Sequence, residues 1–77
     1  MVKRRVKYTT GLVWTAETVK LLREFMGLTQ QQFAEELGVR QQTISEWELG
    51  KYTPRRSTSK YLSMVAERAG FNYKTGP

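Results

Sequence analysis

The sequence predicts a single all-α domain of four short helices that follows a basic N-terminal arm. Apolar residues recur at spacings of three and four in four separate stretches, as they do on the buried face of a helix. Each stretch ends next to a glycine, at Gly27, Gly38, Gly50 and Gly70, and glycine is a preferred residue at the end of a helix. The chain has only 77 residues and no Cys, so it forms one domain without disulfides and stands to gain stability from dimerisation.

The first helix is predicted to begin after Thr15, whose hydroxyl can cap a helix N-terminus, and to end at Gly27. Leu21 and Phe25 form a second apolar pair beside its main apolar face. Three interpretations of this pair remain open, because it can widen the core-facing surface, cover the N-terminal arm or contact another subunit. The main face consists of Ala16, Val19, Leu22 and Met26.

The second helix has a strong start signal. Thr29 and Gln32 have the spacing of a capping box, in which each side chain binds the backbone N–H of the other residue. Leu28 and Phe33 are spaced for a hydrophobic staple around the same cap. Gly38 should end this helix in the left-handed conformation that only glycine adopts without a steric cost.

The third helix is predicted over about residues 40–49, with Gly50 as its terminator. Ten residues make about 15 Å of helix, which is long enough to lie in a DNA major groove. Ile44 and Trp47 fall on one side of it, together with Glu48. The opposite side is rich in amides, which can donate to and accept from the N6/N7 edge of adenine. That side comprises Gln41, Gln42, Ser45, Glu46 and Leu49.

These features resemble the repressor-type helix-turn-helix family, which includes phage repressors, Cro and XRE-like proteins. The matching stretches are GLTQQQFAEELGV and TISEWE, followed by LGK and Pro54. The resemblance covers residues 15–69 and implies a compact four-helix DNA-binding domain. In this fold the second helix of the motif, the recognition helix, lies in the major groove.

The resemblance also implies roles for individual residues. Gln30, at the start of the second helix, matches a Gln that contacts phosphate in the family. Arg23 and Glu48 match an Arg–Glu ion pair that links the first helix to the end of the recognition helix. The loop over residues 51–57 matches a segment that lies against the sugar-phosphate backbone. The residues predicted to read bases are Gln41, Gln42, Ser45 and Glu46.

Arg40 departs from the family pattern, since relatives commonly have Ser or Thr at this cap position. Arginine cannot accept hydrogen bonds from the helix amides, and its cation is unfavourable at the positive end of the helix dipole. A nearby phosphate would relieve both problems, so Arg40 is a predicted phosphate contact. The other predicted phosphate contacts are Gln30, Thr43, which flanks the reading face, and the loop residues Lys51, Arg55 and Arg56.

Glu46 is the unusual member of the base-reading set. A carboxylate that faces DNA repels the phosphates unless it accepts a hydrogen bond from cytosine N4. Alternatively, Glu46 is a solvated charge or the partner of a residue one helical turn away. Both interpretations remain open.

The net charge is +6, and much of the excess lies in residues 1–13. That segment contains four cations and no acid. It could be a flexible arm that follows the phosphate backbone or enters a minor groove, a strand that pairs with a second subunit, or a solvated terminus. A basic surface also occurs simply for solubility, but the clustering of cations is typical of a surface that faces a polyanion.

The fourth helix should span about residues 57–69 and leave residues 71–77 as a C-terminal tail. The predicted organisation is therefore an arm over 1–13, a DNA-binding domain over 14–70 and this tail. Phe71 and Tyr73 can fold back onto the core or meet a partner. The tail is too short for the fifth helix of many relatives, which leaves the dimer interface open.

The composition argues against enzymatic chemistry. The chain has no His, Asp or Cys, so the usual general bases and metal ligand sets are missing. We expect no catalytic residues, no cofactor and no metal. No apolar run is long enough for a membrane span or a signal peptide, and the expected location is the cytoplasm of a prokaryote, or of a cell infected by a phage, in association with the nucleoid.

The predicted function is sequence-specific binding of double-stranded DNA by a homodimeric transcriptional regulator. Two alternatives remain. One is an antitoxin that represses its own operon and binds a toxin, since the SEWE stretch resembles antitoxin-type relatives. Its partner surface would include Leu21, Phe25, Phe71 and Tyr73. The other is a protein-interaction module that has lost DNA binding.

Overall fold

The structure, a computed structural model, describes residues 14–71. The predicted arm over residues 1–13 and the part of the tail that follows Phe71 lie outside this range. Within it every regular element is a helix, so the all-α prediction is confirmed for this part of the chain. The helices are α1 (Ala16–Phe25), α2 (Gln30–Leu37), α3 (Gln41–Glu48) and α4 (Arg56–Ala69).

Two capping boxes begin the first two helices. At α2, the Gln32 N–H donates to the Thr29 hydroxyl at 3.1 Å, and the Thr29 N–H donates to Gln32 Oε1 at 2.9 Å. This is the predicted capping box. At α1, Thr15 caps as predicted, and Thr18 completes a second box that the sequence analysis did not identify. Both starts are therefore specified by residues three apart in the chain.

The turn between α2 and α3 depends on Gly38. Its φ of +73° lies in the left-handed region, which glycine adopts without a steric cost. The Val39 N–H then donates to the Ala34 carbonyl at 3.0 Å, which closes the end of α2. Val39 is half-buried against the core.

The remaining boundaries differ slightly from the predictions. Arg40 and Leu49 flank α3 as its N-cap and C-cap, so the helix is one residue shorter at each end than predicted. Helix α4 begins at Arg56, one residue earlier than predicted. These shifts are within the usual uncertainty of helix ends.

All four helices contribute to one core. Its largest fully buried side chains are Phe33, Leu22, Ile44, Leu62 and Val19. Helix α3 packs against both α1 and α2. Helix α3 is therefore held from its inner side by the rest of the domain.

The two ends of the described range meet on this core. Trp14 is 3% exposed, and its indole Nε1 donates to the Ser63 hydroxyl at 3.0 Å. Phe71 is 7% exposed and stacks on Trp14 with ring centroids 6.5 Å apart. Of the two possibilities raised for Phe71, the structure shows that it folds back. Leu21 packs against the core, whereas Phe25 remains 55% exposed.

Candidate nucleic-acid interface

The polar side of α3 faces solvent. Ile44 and Trp47 are buried and anchor the helix in the core. Gln41 and Gln42 are exposed. The other two predicted base-reading residues, Ser45 and Glu46, are half-buried, so all four reach the surface on the side away from the core.

Two members of this face are joined to each other. Gln42 Nε2 donates a hydrogen bond to Glu46 Oε2 at 3.1 Å. The residues are four apart, so their side chains lie on the same face of the helix. Glu46 thus has a partner one helical turn away, which is one of the alternatives raised by the sequence.

The N-terminus of α3 has a cation at its cap position and lacks a side-chain cap. Arg40 is the N-cap, with extended backbone angles, and its side chain makes no capping hydrogen bond. The reason is that a guanidinium has no acceptor. The exposed Arg40 charge and the positive end of the helix dipole therefore lie side by side, an arrangement that favours a nearby anion.

A second polar cluster holds the opposite end of α3. The Glu48 carboxylate accepts hydrogen bonds from Arg23 Nε at 2.7 Å and from Arg23 Nη2 at 3.1 Å. The side chains of Arg23 and Glu48 are only 15% and 6% exposed. The hydrogen bonds that Arg23 donates to Glu48 are the main cause that raises the pKa of Arg23 above its ordinary value. The stability that the charged guanidinium contributes is fully present while the pH is below the ordinary pKa of arginine. It is lost only as the pH rises through the raised pKa of Arg23.

This cluster connects three helices. Arg23 Nη1 also donates to the Leu28 carbonyl at 3.0 Å, in the turn between α1 and α2. Gln30 Nε2 donates to Glu48 at 3.1 Å. A primary amide has two N–H donors, so Gln30 can bind Glu48 and retain one donor for a phosphate. The sequence analysis did not identify the contact between Gln30 and Glu48.

The loop after α3 and the first residue of α4 carry three cations. Lys51, Arg55 and Arg56 are all exposed. The Lys51 N–H donates to the Glu46 carbonyl at 2.9 Å, which keeps this residue at the end of α3. Arg55 lines a cleft of about 310 Å³ that also contains Thr43 and Glu46. Arg55 therefore lies on the same side of the molecule as the polar face of α3.

The same cleft has an apolar floor. Val39, Trp47 and Tyr52 contribute to its lining. Tyr52 is mostly exposed, so its ring and hydroxyl are accessible from solvent. The combination of an apolar floor with threonine hydroxyls and an arginine suits the sugar-phosphate backbone, which has both apolar and anionic parts.

In residues 14–71, no group of three or more His, Cys, Asp or Glu residues is arranged to hold a metal ion. None of the four helices is long and apolar enough to cross a membrane.

Comparison with known families identifies the motif. A family model described as helix-turn-helix matches residues 19–63, which is more than half of the chain. The chain belongs to the XRE-like helix-turn-helix family. This confirms the predicted family, whose members are DNA-binding transcription regulators. The comparisons with curated proteins and with solved structures returned no match.

In the terms of this helix-turn-helix family, α2 and α3 form the motif and α3 is the recognition helix. The matched range begins inside α1 and ends inside α4. It therefore contains the Arg23–Glu48 pair and the whole of the basic loop, but not Trp14 or Phe71. The sequence did contain a local signal for the burial of Trp14, which directly precedes the N-cap Thr15. An apolar residue at that position often packs on the first turns of the helix that follows.

Proposed function

We propose that this chain is a sequence-specific regulator of transcription that places α3 in the major groove of double-stranded DNA. The main support is the exposed amide-bearing side of α3, which is anchored from behind by Ile44 and Trp47 and bordered by cations. Side chains of this kind, at this place in the motif, can form paired hydrogen bonds with base edges. The base-reading set is Gln41, Gln42, Ser45 and Glu46.

A second set of residues positions the domain on the backbone. Gln30 stands at the first turn of α2 and Arg40 at the N-cap of α3, where helix amides add positive potential. Contacts to phosphates set the register and orientation but carry no sequence information directly. The remaining members of this set are Thr43, Lys51, Arg55 and Arg56.

The active form is a homodimer. A two-fold dimer of this motif binds two half-sites about 34 Å apart, so the selected sequence should be an inverted repeat with that spacing. A small domain with a limited core also gains stability from association. Occupancy of such an operator would repress or activate the neighbouring gene.

A pair of substitutions tests the division between reading and positioning. Gln41→Ala removes an exposed amide from the reading face, and Lys51→Ala removes a cation from the loop. We expect Gln41→Ala to relax preference at one base pair by about 1–3 kcal/mol, whereas Lys51→Ala weakens binding to all sequences alike. Site selection from random duplexes, followed by titration of single-base variants, measures both effects.

The outcome also separates the alternatives. Identical effects of the two substitutions would contradict the assigned roles. If the chain selects no sequence from random duplexes, the protein-interaction module becomes the better-supported function. A small protein that co-purifies with the chain would favour the antitoxin, although Phe71 is buried and Leu21 packs on the core. Within residues 14–71, that leaves Phe25 as the exposed member of the proposed toxin surface.

A further inference from the structure

The reading face contains a carboxylate at a position where a negative charge is costly. Glu46 is half-buried on α3, and its neighbours in the cleft include Thr43 and Arg55. Within residues 14–71 the structure gives its carboxylate no ion-pair partner, and its side-chain hydrogen bond comes from the neutral Gln42 amide. A charge of this sign near DNA must either weaken binding or accept a hydrogen bond from a base.

The hydrogen bond to Gln42 limits what each group can offer. Gln42 Nε2 uses one of its two hydrogens on Glu46 Oε2, so one N–H and the Oε1 acceptor remain for a base. The Glu46 carboxylate can only accept, and Oε1 remains available. Gln42 therefore retains the donor–acceptor pair that matches adenine, while Glu46 presents an acceptor next to it.

The bases differ in what they present to such an acceptor. In the major groove, adenine N6 and cytosine N4 carry amino groups that donate. Guanine O6 and thymine O4 are acceptors, so a carboxylate opposite them meets lone pairs and receives no hydrogen bond. A carboxylate on the reading face thus discriminates between amino and keto bases.

We propose that Gln42 and Glu46 act as one recognition unit that selects a base whose amino group lies in the major groove. In this unit Gln42 binds adenine, and Glu46 requires adenine or cytosine at the neighbouring position and rejects guanine and thymine there. The inference rests on the proposed function, since it assumes that α3 lies in the major groove. A good paired contact corresponds to discrimination of about 5- to 150-fold between bases.

Substitution of Glu46→Gln tests the unit with little change in shape. The amide keeps an acceptor for Gln42 but adds a donor, so it tolerates keto bases. In site selection, the original chain should prefer adenine or cytosine to guanine or thymine at one position by about 5- to 150-fold. The Glu46→Gln variant should lose most of that preference. Glu67→Gln is the matched control, because it removes the same charge from an exposed position on α4.

Each outcome has a defined meaning. Loss of the amino-base preference in Glu46→Gln alone supports the unit. Selection of a keto base by the original chain, or an equal rise in affinity for all duplexes in Glu46→Gln and Glu67→Gln, overturns it while sequence-specific binding stands. If no variant selects any sequence, the proposed function itself fails.

A double-mutant cycle tests whether the two residues act together. Glu46→Gln is compared in the original chain and in the Gln42→Ala background, with affinity measured for the selected duplex and for its keto variant. Coupled residues give non-additive changes, so Glu46→Gln should alter the amino-to-keto ratio by different factors in the two backgrounds. Equal factors would show two independent contacts and would overturn the unit. Because Gln42 is exposed and Glu46 is half-buried on the helix surface, we expect the variants to fold. Circular dichroism verifies this.

Discussion

At the residue scale, a few polar contacts connect the core to the proposed interface. Glu48 holds Arg23 and Gln30 at once, so a single carboxylate joins the first helix to both helices of the motif. Ser63 is buried and accepts from the Trp14 indole at 3.0 Å. Buried polar groups of this kind are costly when they lose their partners. Their cost makes these contacts measurable by single substitutions.

Replacement of Ser63→Ala should destabilise the fold through Trp14. The substitution leaves a buried indole N–H without an acceptor, which costs about 1–3 kcal/mol. For a domain of this size each kcal/mol lowers Tm by about 4–8 °C. Thermal and urea unfolding, followed by circular dichroism, measure the loss.

The control is the same substitution in a Trp14→Phe background, where there is no N–H to satisfy. There the cost of Ser63→Ala should be much smaller. An equal cost in both backgrounds would mean that Ser63 acts through packing and not through the hydrogen bond.

At the element scale, the helices fall into two groups by their N-caps. Thr15 and Thr29 cap α1 and α2 with side-chain hydrogen bonds. Arg40 and Arg55 occupy the same position at α3 and α4, and neither makes a side-chain cap. The two arginines belong to the proposed phosphate-contacting set. Residues that cap a helix better than arginine are therefore absent from the two N-cap positions where a cation could bind DNA phosphates. This pattern is typical of a compromise between stability and function.

Arg40→Ser should separate these two effects. Serine can accept a hydrogen bond from the first-turn amides, so we expect the stability of the free protein to rise by about 0.5–2 kcal/mol. The same change removes a proposed phosphate contact, so affinity for all duplexes should fall. Urea unfolding and DNA titration at fixed salt provide the two measurements.

Arg68→Ser is a suitable comparison, since it removes an exposed cation from the last turn of α4 without adding an N-cap. It should lower stability slightly and leave DNA affinity nearly unchanged. If Arg40→Ser raised stability but bound DNA as tightly as the original chain, Arg40 would have no role in phosphate binding.

At the scale of the whole molecule, charge is distributed unevenly along the chain. Residues 14–71 contain all seven acidic residues and eight of the 13 cations. Residues 1–13 contain four cations and no acid. The folded domain is thus almost neutral, and we propose that long-range attraction to DNA depends strongly on the arm.

A salt series on an arm variant tests this proposal. The variant replaces Lys3, Arg4, Arg5 and Lys7 with Gln. The slope of log K against log salt should be near −0.9 per neutralised phosphate for the original chain, and it should become shallower by about 0.9 for each contact that the variant loses. Titrations between low and moderate salt give both slopes.

Equal slopes in the two proteins would exclude phosphate contacts by the arm. Lys20→Gln, an exposed cation on α1, is the single-charge control. Sedimentation of both proteins would then show whether the arm pairs with a second subunit, the other role considered for this segment.

Much of the fold was predictable because its signals are local. The capping box of Thr29 with Gln32 and the turn at Gly38 are each satisfied within a few residues, so residue type and spacing specify them. The outward polar side of α3 follows from helical periodicity. The family match supported the same fold, but the Arg23–Glu48 pair was expected only from resemblance and not from spacing.

The sequence by itself therefore determined which segments become helices, where they begin and end to within about one residue, and which side of α3 is polar. The tertiary structure decided which distant groups meet. Trp14 and Ser63 are 49 residues apart, and Gln30 and Glu48 are 18 apart. Such contacts depend on how the helices dock on the shared core, and docking depends on the combined packing of all four helices, which no single stretch of sequence encodes.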